Sequence, residues 1–330
     1  IGAGRNERTD ERVTERKGHR HRVLTTKAGD LDVAIPKLRQ GSFFPNFLEP
    51  RRRIDQALYP VVMEAYVSGV STRSVDARVV SMGAASGISK SEVSRICAGL
   101  DERVAAFRNR TLGHAEFPYV YLDAVYIHVR DDALGQVVSR AVVVATGVTA
   151  EGGREVLGVD IGDSEAETFW TAFLRSLKAR GLGGVRLVIS DAHEGLRAAI
   201  RKTLQGASWQ RCRVHYVRNL LSTVPKGSTE MVAAAFRSIF ALTTVDDVRA
   251  RWDEVADTLT DRFPKAAELM NATKTDVLAF TAFPREHWRQ IWSNNPLERL
   301  NKEIRRRTNV VGIFPNDPAV IRLVGAVLSD

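Results

Sequence analysis

The pattern of apolar and polar positions predicts a β-sheet with interspersed helices in the middle of the chain. Three β-rich runs follow Pro118: YVYLDAVYIHV, VVSRAVVVATGV and REVLGVDI. After them, two segments of helical periodicity (SEAETFWTAFLRSLKARG and EGLRAAIRKTL) alternate with two more strand-like runs, VRLVIS and SWQRCRV. Three consecutive strands favour an antiparallel meander, and strand–helix–strand alternation favours parallel additions to the same sheet. The pattern therefore predicts an α/β fold with the order β-β-β-α-β-α-β.

Helical patterns lie on both sides of this predicted sheet. Behind it, residues 216–293 show helical periodicity, for example in MVAAAFRSIFAL and VDDVRARWDEVADTL. In front of it, the glycine-containing link GAASG leads to ISKSEVSRIC, where Lys90, Ser91 and Arg95 occupy the first helical turns. A helix, a short link and a helix that begins with polar and basic residues is the order of a helix-turn-helix DNA reader. An ordinary helical hairpin that packs on a core has the same pattern.

Positive charge is concentrated at the start of the chain. The 330 residues carry a net charge of +9, and residues 1–114 hold 20 Lys and Arg against 13 Asp and Glu. A basic segment before a near-neutral body suggests a polyanionic partner, although Arg-rich usage on a solvated surface gives the same composition. Residues 1–22 mix both signs with few apolar side chains, so we expect them to be mobile or ordered only by a partner.

The composition also bears on where the protein works. No stretch approaches the roughly 18 uninterrupted apolar residues of a membrane span, so we predict no membrane segment. The two cysteines, Cys97 and Cys212, are too few for a disulfide scaffold, so we expect reduced thiols and a cytoplasmic location. The chain does not begin with methionine, and we expect it to be a fragment.

Two aspartates are candidates for chemistry at the edge of the predicted sheet. Asp123 lies inside the first strand, where a charge in an apolar run needs an ion-pair partner or a cation. Asp191 follows the fourth strand, at the carboxyl end where ligands gather in open α/β sheets, although it could simply cap the next helix. If the first and fourth strands are neighbours, the two carboxylates converge.

A third acid is available in the segment WSNNPLERLNKEIRRRTN. Glu298 could form half of a capping arrangement with Asn295 at the start of a helix. The helical spacing also places Glu298, Asn301, Lys302 and Arg305 on one face. An acid beside an amide and two cations suits a metal ion next to a phosphodiester. Three carboxylates are sufficient for Mg²⁺, which prefers oxygen ligands and keeps several waters.

Cys212 and His215 form a C-x-x-H pair after the predicted fifth strand. Two ligands are too few for a closed zinc site, which normally needs four. A buried thiol beside a hydrogen-bonded histidine is therefore favoured over zinc.

Five strings together resemble a known family: LDAVYIHVR, REVLGVDIGDSEAETFW, LVISDAHEGLRAAI, WQRCRVHYVRN and WSNNPLERLNKEIRRRTNVVGIFPN. They resemble the Mutator-type transposases of bacterial insertion sequences, which belong to the DDE class. The resemblance spans residues 5–320. It implies an α/β, ribonuclease H-like catalytic core (β-β-β-α-β-α-β-α) interrupted by an all-α insertion, with the catalytic triad on Asp123, Asp191 and Glu298.

The resemblance also implies a domain organisation and further roles. The helix-turn-helix region would recognise the terminal inverted repeats, and Cys212 and His215 would help to position transposon DNA. The expected segments are a basic N-terminal arm (1–50), the helix-turn-helix region (51–114), the first part of the catalytic core (115–215), the helical insertion (216–293) and the last part of the core (294–330).

The function that follows is metal-dependent DNA strand cleavage and strand transfer at the ends of an insertion sequence. Two Mg²⁺ or Mn²⁺ ions held by the triad would activate the attacking water or 3′-hydroxyl and stabilise the leaving oxygen. Candidates for end recognition are Arg51, Arg52, Arg53, Lys90, Ser91 and Arg95. Candidates for phosphate contacts are Lys302, Arg305 and Arg306.

The expected partners are double-stranded DNA and further copies of the chain. Because two element ends must be brought together, we expect a homodimer or a larger synaptic assembly, associated with the nucleoid. Two alternatives stay open: a non-catalytic DNA-binding protein derived from a transposase, and a nuclease without joining activity.

Overall fold

The computed structural model describes residues 16–26, 29–39, 90–131, 134–163 and 166–329. These residues divide into two compact units, with the boundary after Ile96. The helix-turn-helix prediction rests mainly on residues outside the described ranges. The described residues do not include Arg51, Arg52 and Arg53. They also do not include the side chains of Lys90, Ser91 and Arg95.

The first unit contains a β-hairpin near the start of the chain. Strands β1 (Arg16–Thr26) and β2 (Gly29–Leu38) pair antiparallel, and the unit also contains the first turns of helix α1 (Lys90–Asn109). The expectation of a mobile or partner-ordered segment up to residue 22 is wrong from Arg16 onwards. RKGHRHR lacks an apolar alternation, and its strand structure comes from cross-strand hydrogen bonds to the more apolar β2.

The second unit is built on a mixed six-stranded sheet. Five strands lie side by side in the order β5-β4-β3-β6-β7. The sixth strand, β8, pairs with β3. β3 pairs antiparallel with β4 and β4 with β5, whereas β6 is parallel to both β3 and β7. The strands are β3 (Tyr119–Asp131), β4 (Gln136–Val148), β5 (Arg154–Gly162), β6 (Leu187–Ser190), β7 (Ser208–Arg211) and β8 (Ile313–Phe314). The predicted meander and its parallel additions are confirmed.

The two faces of this sheet pack against different elements. Side chains alternate along β3, so Leu122 enters the main apolar core while Asp123 points to the opposite face. Helices α2 (Glu167–Ala179) and α3 (Glu194–Thr203) cover the core face, through residues such as Trp170 and Ile200. The closing helices, α9 (Asn295–Val311) and α10 (Asp317–Ser329), contact β3 and β5 respectively.

A helical segment separates β7 from α9, and it confirms the helices predicted over residues 216–293. Its helices are α4 (Arg213–Ser222), α5 (Thr229–Ile239), α6 (Val245–Thr260), α7 (Pro264–Val277) and α8 (Trp288–Ile291). Three buried aromatic residues, Tyr216, Phe236 and Trp252, form its centre. A backbone hydrogen bond of 3.0 Å from Arg213 N to Trp292 O joins its beginning to its end.

One strand is shorter than its apolar pattern predicts. SWQRCRV suggests a strand that continues past Cys212, but β7 ends at Arg211, and Cys212 is already the N-cap residue of α4. The reason is that the neighbouring strand β6 ends at Ser190, which pairs with Arg211, so no partner remains for a longer strand. His215 consequently lies in the first turn of a helix.

Within the ranges described above, no helix has both the length and the apolar character needed to cross a membrane.

Candidate active site

Asp123 lies on the face of β3 that is covered by α9. Its Oδ2 accepts a hydrogen bond of 2.7 Å from Asn301 Nδ2, and its Oδ1 accepts one of 2.9 Å from the Ala124 backbone N–H. Burial raises the pKa of Asp123, and the charge of Asp191 raises it further, against the opposing effects of His215 and Arg305. A carboxylate in this position is costly to ionise without a nearby cation.

Asp191 follows β6 directly, and its charge raises the pKa of Asp123. β6 is the parallel neighbour of β3, which is the condition on which the predicted convergence of these two acids depends. Asp191 is exposed, and its Oδ1 accepts a 2.7 Å hydrogen bond from Ala192 N. The capping alternative is wrong, because His193 is the N-cap residue of α3.

Glu298 lies in the first turn of α9, one turn before Asn301. Its Oε1 is 3.6 Å from an amino nitrogen of Arg218 in α4, and both side chains are substantially exposed. The capping alternative is not observed here either. Asn294 is the N-cap residue of α9 and makes no side-chain cap, so the carboxylate of Glu298 is available for the ion pair.

The end of the helical segment is anchored beside Asp123. Asn294 Nδ2 donates to the backbone oxygen of Leu122 at 3.1 Å, and Asn294 N donates to Cys212 Sγ at 3.4 Å. The chain therefore leaves the sheet at Cys212 and returns to the same place at Asn294. This closure brings Glu298 back to the site although it follows Asp191 by more than a hundred positions.

His215 provides a positive charge next to the two aspartates. Hydrogen bonding to Cys212 raises the pKa of His215 to about 9, and the charges of Asp123 and Asp191 act in the same direction, while burial opposes them. The imidazole is therefore protonated at neutral pH and partly offsets the charge of the acid pair.

This raised pKa predicts a pH-dependent stability. His215 should contribute its full stabilisation below its unfolded pKa of about 6.5, and this contribution should be lost as the pH rises through about 9. With solvent screening, we expect a change on the order of 1–2 kcal/mol. Denaturant unfolding of the metal-free protein between pH 6 and pH 10 measures it. The difference between wild type and His215→Gln should shrink across that window.

The exposed histidine of β3 provides the matched control for this measurement. His128→Gln removes an imidazole from the same unit without touching the acid pair. Its unfolding free energy should follow the wild-type curve at every pH. A constant difference between wild type and His215→Gln from pH 6 to pH 10 would contradict the prediction.

The donor set at the site suits a divalent cation only in part. Asp123 and Asp191 offer carboxylate oxygens, the ligands that Mg²⁺ and Mn²⁺ prefer. Asn301 adds a buried amide oxygen that has no hydrogen-bond partner in the described part of the chain. No three His, Cys, Asp or Glu side chains in the described ranges are grouped as a metal site would require. Glu298 is paired with Arg218.

Comparison with known proteins decides the family. The model of the Mutator family of transposases matches residues 1–330. The chain belongs to the Mutator family of transposases. It is 51% identical over 331 residues to the transposase for insertion sequence element IS1081 of Mycobacterium tuberculosis, covering all of this chain and 79% of the relative.

Two further relatives of this Mutator-family chain have similar coverage. It is 39% identical over 332 residues to the transposase for insertion sequence element IS256 in transposon Tn4001 of Staphylococcus aureus, covering 100% of the chain and 84% of the relative. It is also 39% identical over 327 residues to the transposase for insertion sequence element ISRM5 of Rhizobium meliloti, covering 99% of the chain and 81% of the relative.

The remaining sequence-predicted residues of this Mutator-family chain occupy different environments. Lys302 and Arg305 are exposed on α9, and Arg305 is close enough to Asp123 to lower its pKa. Arg306 is exposed too, but it forms an ion pair of 2.9 Å with Glu303. Cys212 is fully buried, so a role in positioning DNA would have to act through its neighbours.

Sequence reasoning missed two residues of the site, Arg218 and Asn294. Arg218 is three positions after His215 and so shares a helical face with it. Because the sequence pattern placed His215 at the end of a strand, this shared face was not recognised. Asn294 had no signal of its own, because its contacts to Leu122 and Cys212 exist only in the tertiary structure.

Proposed function

We propose that this chain is a DDE transposase that cuts DNA at the ends of its insertion sequence and joins them to new DNA. The observation that carries the proposal is that Asp123 and Asp191 belong to neighbouring parallel strands of one sheet and interact through their charges, in a chain that matches the Mutator family throughout. Asn301 of α9 is hydrogen-bonded to Asp123, and Arg305 of the same helix is close enough to lower its pKa, so the last segment adds an amide and a cation.

The proposed core is ribonuclease H-like, with a helical insertion between the second aspartate and the glutamate. The strand order β5-β4-β3-β6-β7 supports this proposal, with antiparallel pairing among the first three strands and parallel pairing after β3. The helical segment from α4 to α8, whose two ends lie together, fits the role of the insertion.

Asp123, Asp191 and Glu298 are the proposed holders of Mg²⁺ or Mn²⁺. Two bound ions would lower the pKa of the attacking hydroxyl and stabilise the leaving oxygen of an in-line displacement. Asp123 and Asp191 already lie on neighbouring strands, whereas Glu298 would have to exchange its partner Arg218 for the cation. Arg218 is exposed, so it can move to a DNA phosphate at that moment.

The proposed DNA contacts of the described part are on α9. Lys302 and Arg305 follow Glu298 by one and two helical turns, so they can bind the phosphates that flank the scissile bond. The helix-turn-helix region would recognise the inverted repeats. Because joining requires two ends, the proposed active assembly contains at least two copies of the chain.

The test of this function is DNA cleavage and joining with labelled inverted-repeat DNA and Mg²⁺ or Mn²⁺. Glu298→Gln should lower the cleavage rate about 100-fold, because it removes a metal-binding charge worth several kcal/mol in the transition state. Glu303→Gln is the matched control: it makes the same change on the same helix, at a residue that is paired with Arg306 and is no proposed metal ligand. It should cleave like wild type.

The outcome separates the proposal from its two alternatives. If wild type binds the repeats but cleaves nothing under any metal condition, the protein is a DNA-binding derivative of a transposase. If it cleaves but forms no covalent joint to target DNA, it is a nuclease. Equal cleavage by Glu298→Gln and Glu303→Gln would remove Glu298 from the proposed triad.

A further inference from the structure

Asn301 is the side chain through which α9 is hydrogen-bonded to Asp123. The donor–acceptor distance is 2.7 Å, although the two residues are 178 positions apart. An ionised carboxylate can only accept hydrogen bonds, so the amide nitrogen must face it and the amide oxygen must be directed elsewhere. That oxygen is buried and has no hydrogen-bond partner in the described part of the chain, and the whole residue is only 7% exposed.

Helix packing alone does not explain an asparagine at this position. The neighbouring inward residues of α9, Leu297 and Ile304, are fully buried and already hold the helix against the rest of the unit. A leucine at position 301 would continue this apolar face without burying an unpaired acceptor, which always costs stability. The amide therefore contributes less to packing than an apolar side chain would, but it can donate a hydrogen bond to a carboxylate.

We propose that Asn301 is a positioning residue that fixes the Asp123 carboxylate for cation binding, an inference that rests on the proposed function. Its N–H group holds Oδ2, while Ala124 N holds Oδ1, so the carboxylate has one orientation before a cation arrives. Glu298 is one turn earlier on α9. The same hydrogen bond therefore also fixes the rotation of the helix that carries the third acid.

The free amide oxygen gives Asn301 a second task. It is bonded to the same carbon as Nδ2, so it lies within a few ångströms of the Asp123 carboxylate. A buried acceptor there can take a hydrogen bond from a water or a hydroxyl that approaches the acid pair. Asn301 thus orients both the Asp123 carboxylate and the water or hydroxyl that approaches it.

Asn301→Leu tests this role because it keeps the branched shape and the number of side-chain heavy atoms and removes both polar atoms. In the folded, metal-free protein, Mn²⁺ binding measured by electron paramagnetic resonance should weaken about tenfold, as is typical when a ligand loses its orienting partner. With inverted-repeat DNA, kcat for cleavage should fall about 10- to 100-fold while KM for DNA stays within about twofold. The thermal unfolding midpoint should stay equal or rise, which a purely structural role would not produce.

Two further variants complete the design. Asn309→Leu makes the same change at an exposed position of α9 and should bind Mn²⁺ and cleave like wild type. Asn301→Ala removes the amide without adding apolar bulk, so it should weaken Mn²⁺ binding even if the leucine variant does not fold.

The outcomes distinguish this inference from the proposed function. If wild type neither binds Mn²⁺ nor cleaves, the proposed function itself fails. If wild type does both and the folded Asn301 variants match it in Mn²⁺ affinity and kcat, Asn301 has no positioning role. Unfolding of both Asn301 variants would also overturn the inference, since it would show that the amide serves stability.

Discussion

Asp123→Asn is expected to lower the rate of DNA strand cleavage by about 10³-fold or more, with little change in stability or DNA affinity. The substitution is isosteric. Its carboxamide oxygen can keep the hydrogen bond from Ala124 N, and its NH2 group can donate to the Asn301 amide oxygen once that amide turns over. What it removes is the charge that interacts with that of Asp191 and would bind the proposed cation. Loss of a metal ligand forfeits several kcal/mol of transition-state stabilisation, and each 1.36 kcal/mol is tenfold in rate.

The effect on stability distinguishes this variant from ordinary core damage. Burial and the charge of Asp191 both penalise the ionised form of Asp123, so an uncharged residue at this position relieves a cost of the metal-free protein. We therefore expect the free energy of unfolding in a chelator to be unchanged or increased. Denaturant unfolding and single-turnover cleavage of labelled inverted-repeat DNA measure the two quantities.

Asp160→Asn is the matched control for this prediction. Asp160 lies on β5 of the same sheet, two strands away from Asp123, and forms a 2.8 Å ion pair with Arg108. Its amide variant should cleave within about twofold of wild type, because it loses one partly exposed ion pair and no proposed metal ligand. Comparable cleavage by the Asp123 and Asp160 variants would contradict the catalytic assignment of Asp123.

Trp252→Ala is expected to lower the free energy of unfolding by about 3–5 kcal/mol. The indole is fully buried in α6, and its ring centroid is 5.9 Å from those of both Tyr216 and Phe236. Its Nε1 donates to the backbone oxygen of Met270 at 3.2 Å, so the substitution leaves a cavity and removes this buried hydrogen bond. Urea unfolding followed by circular dichroism measures the loss.

Met231→Ala provides the comparison within the same helical segment. Met231 is 48% exposed on α5, and truncating it should change the free energy of unfolding by less than about 0.5 kcal/mol. If Trp252→Ala costs no more than Met231→Ala, the helical segment does not have the packed aromatic centre described above.

The fold of the second unit could be predicted from the sequence to a large extent, because the signals for its strands and helices lie within each segment. Long apolar runs of the β3 type and amphipathic segments of the α2 and α3 type each bury one recognisable face, so periodicity indicates them without knowledge of the rest. Where a partner element decides the structure, the prediction was wrong. β1 needed its pairing with β2, and β7 ended where β6 ended.

The candidate site could be predicted as a set of residues but not as an arrangement. Asp123 stood out as a charge in an apolar strand and Asp191 as an acid after one, and the structure pairs these two strands. Arg218 and Asn294 gave no comparable signal, since an exposed arginine and an asparagine before a proline-containing helix are ordinary. Their importance comes from contacts with residues far away in the sequence.

The sequence by itself determined the family, the α/β alternation, the helical segment and the candidate acids, because composition, periodicity and motif spacing are properties of the chain. Only the tertiary structure decided that β3 and β6 are neighbours, that Asn301 is hydrogen-bonded to Asp123 and that Glu298 is paired with Arg218. These relations depend on how β3, β6, α4 and α9 meet. Contacts of this kind cannot be inferred from separation along the chain. The hydrogen bond between Asn301 and Asp123, for example, joins residues 178 positions apart.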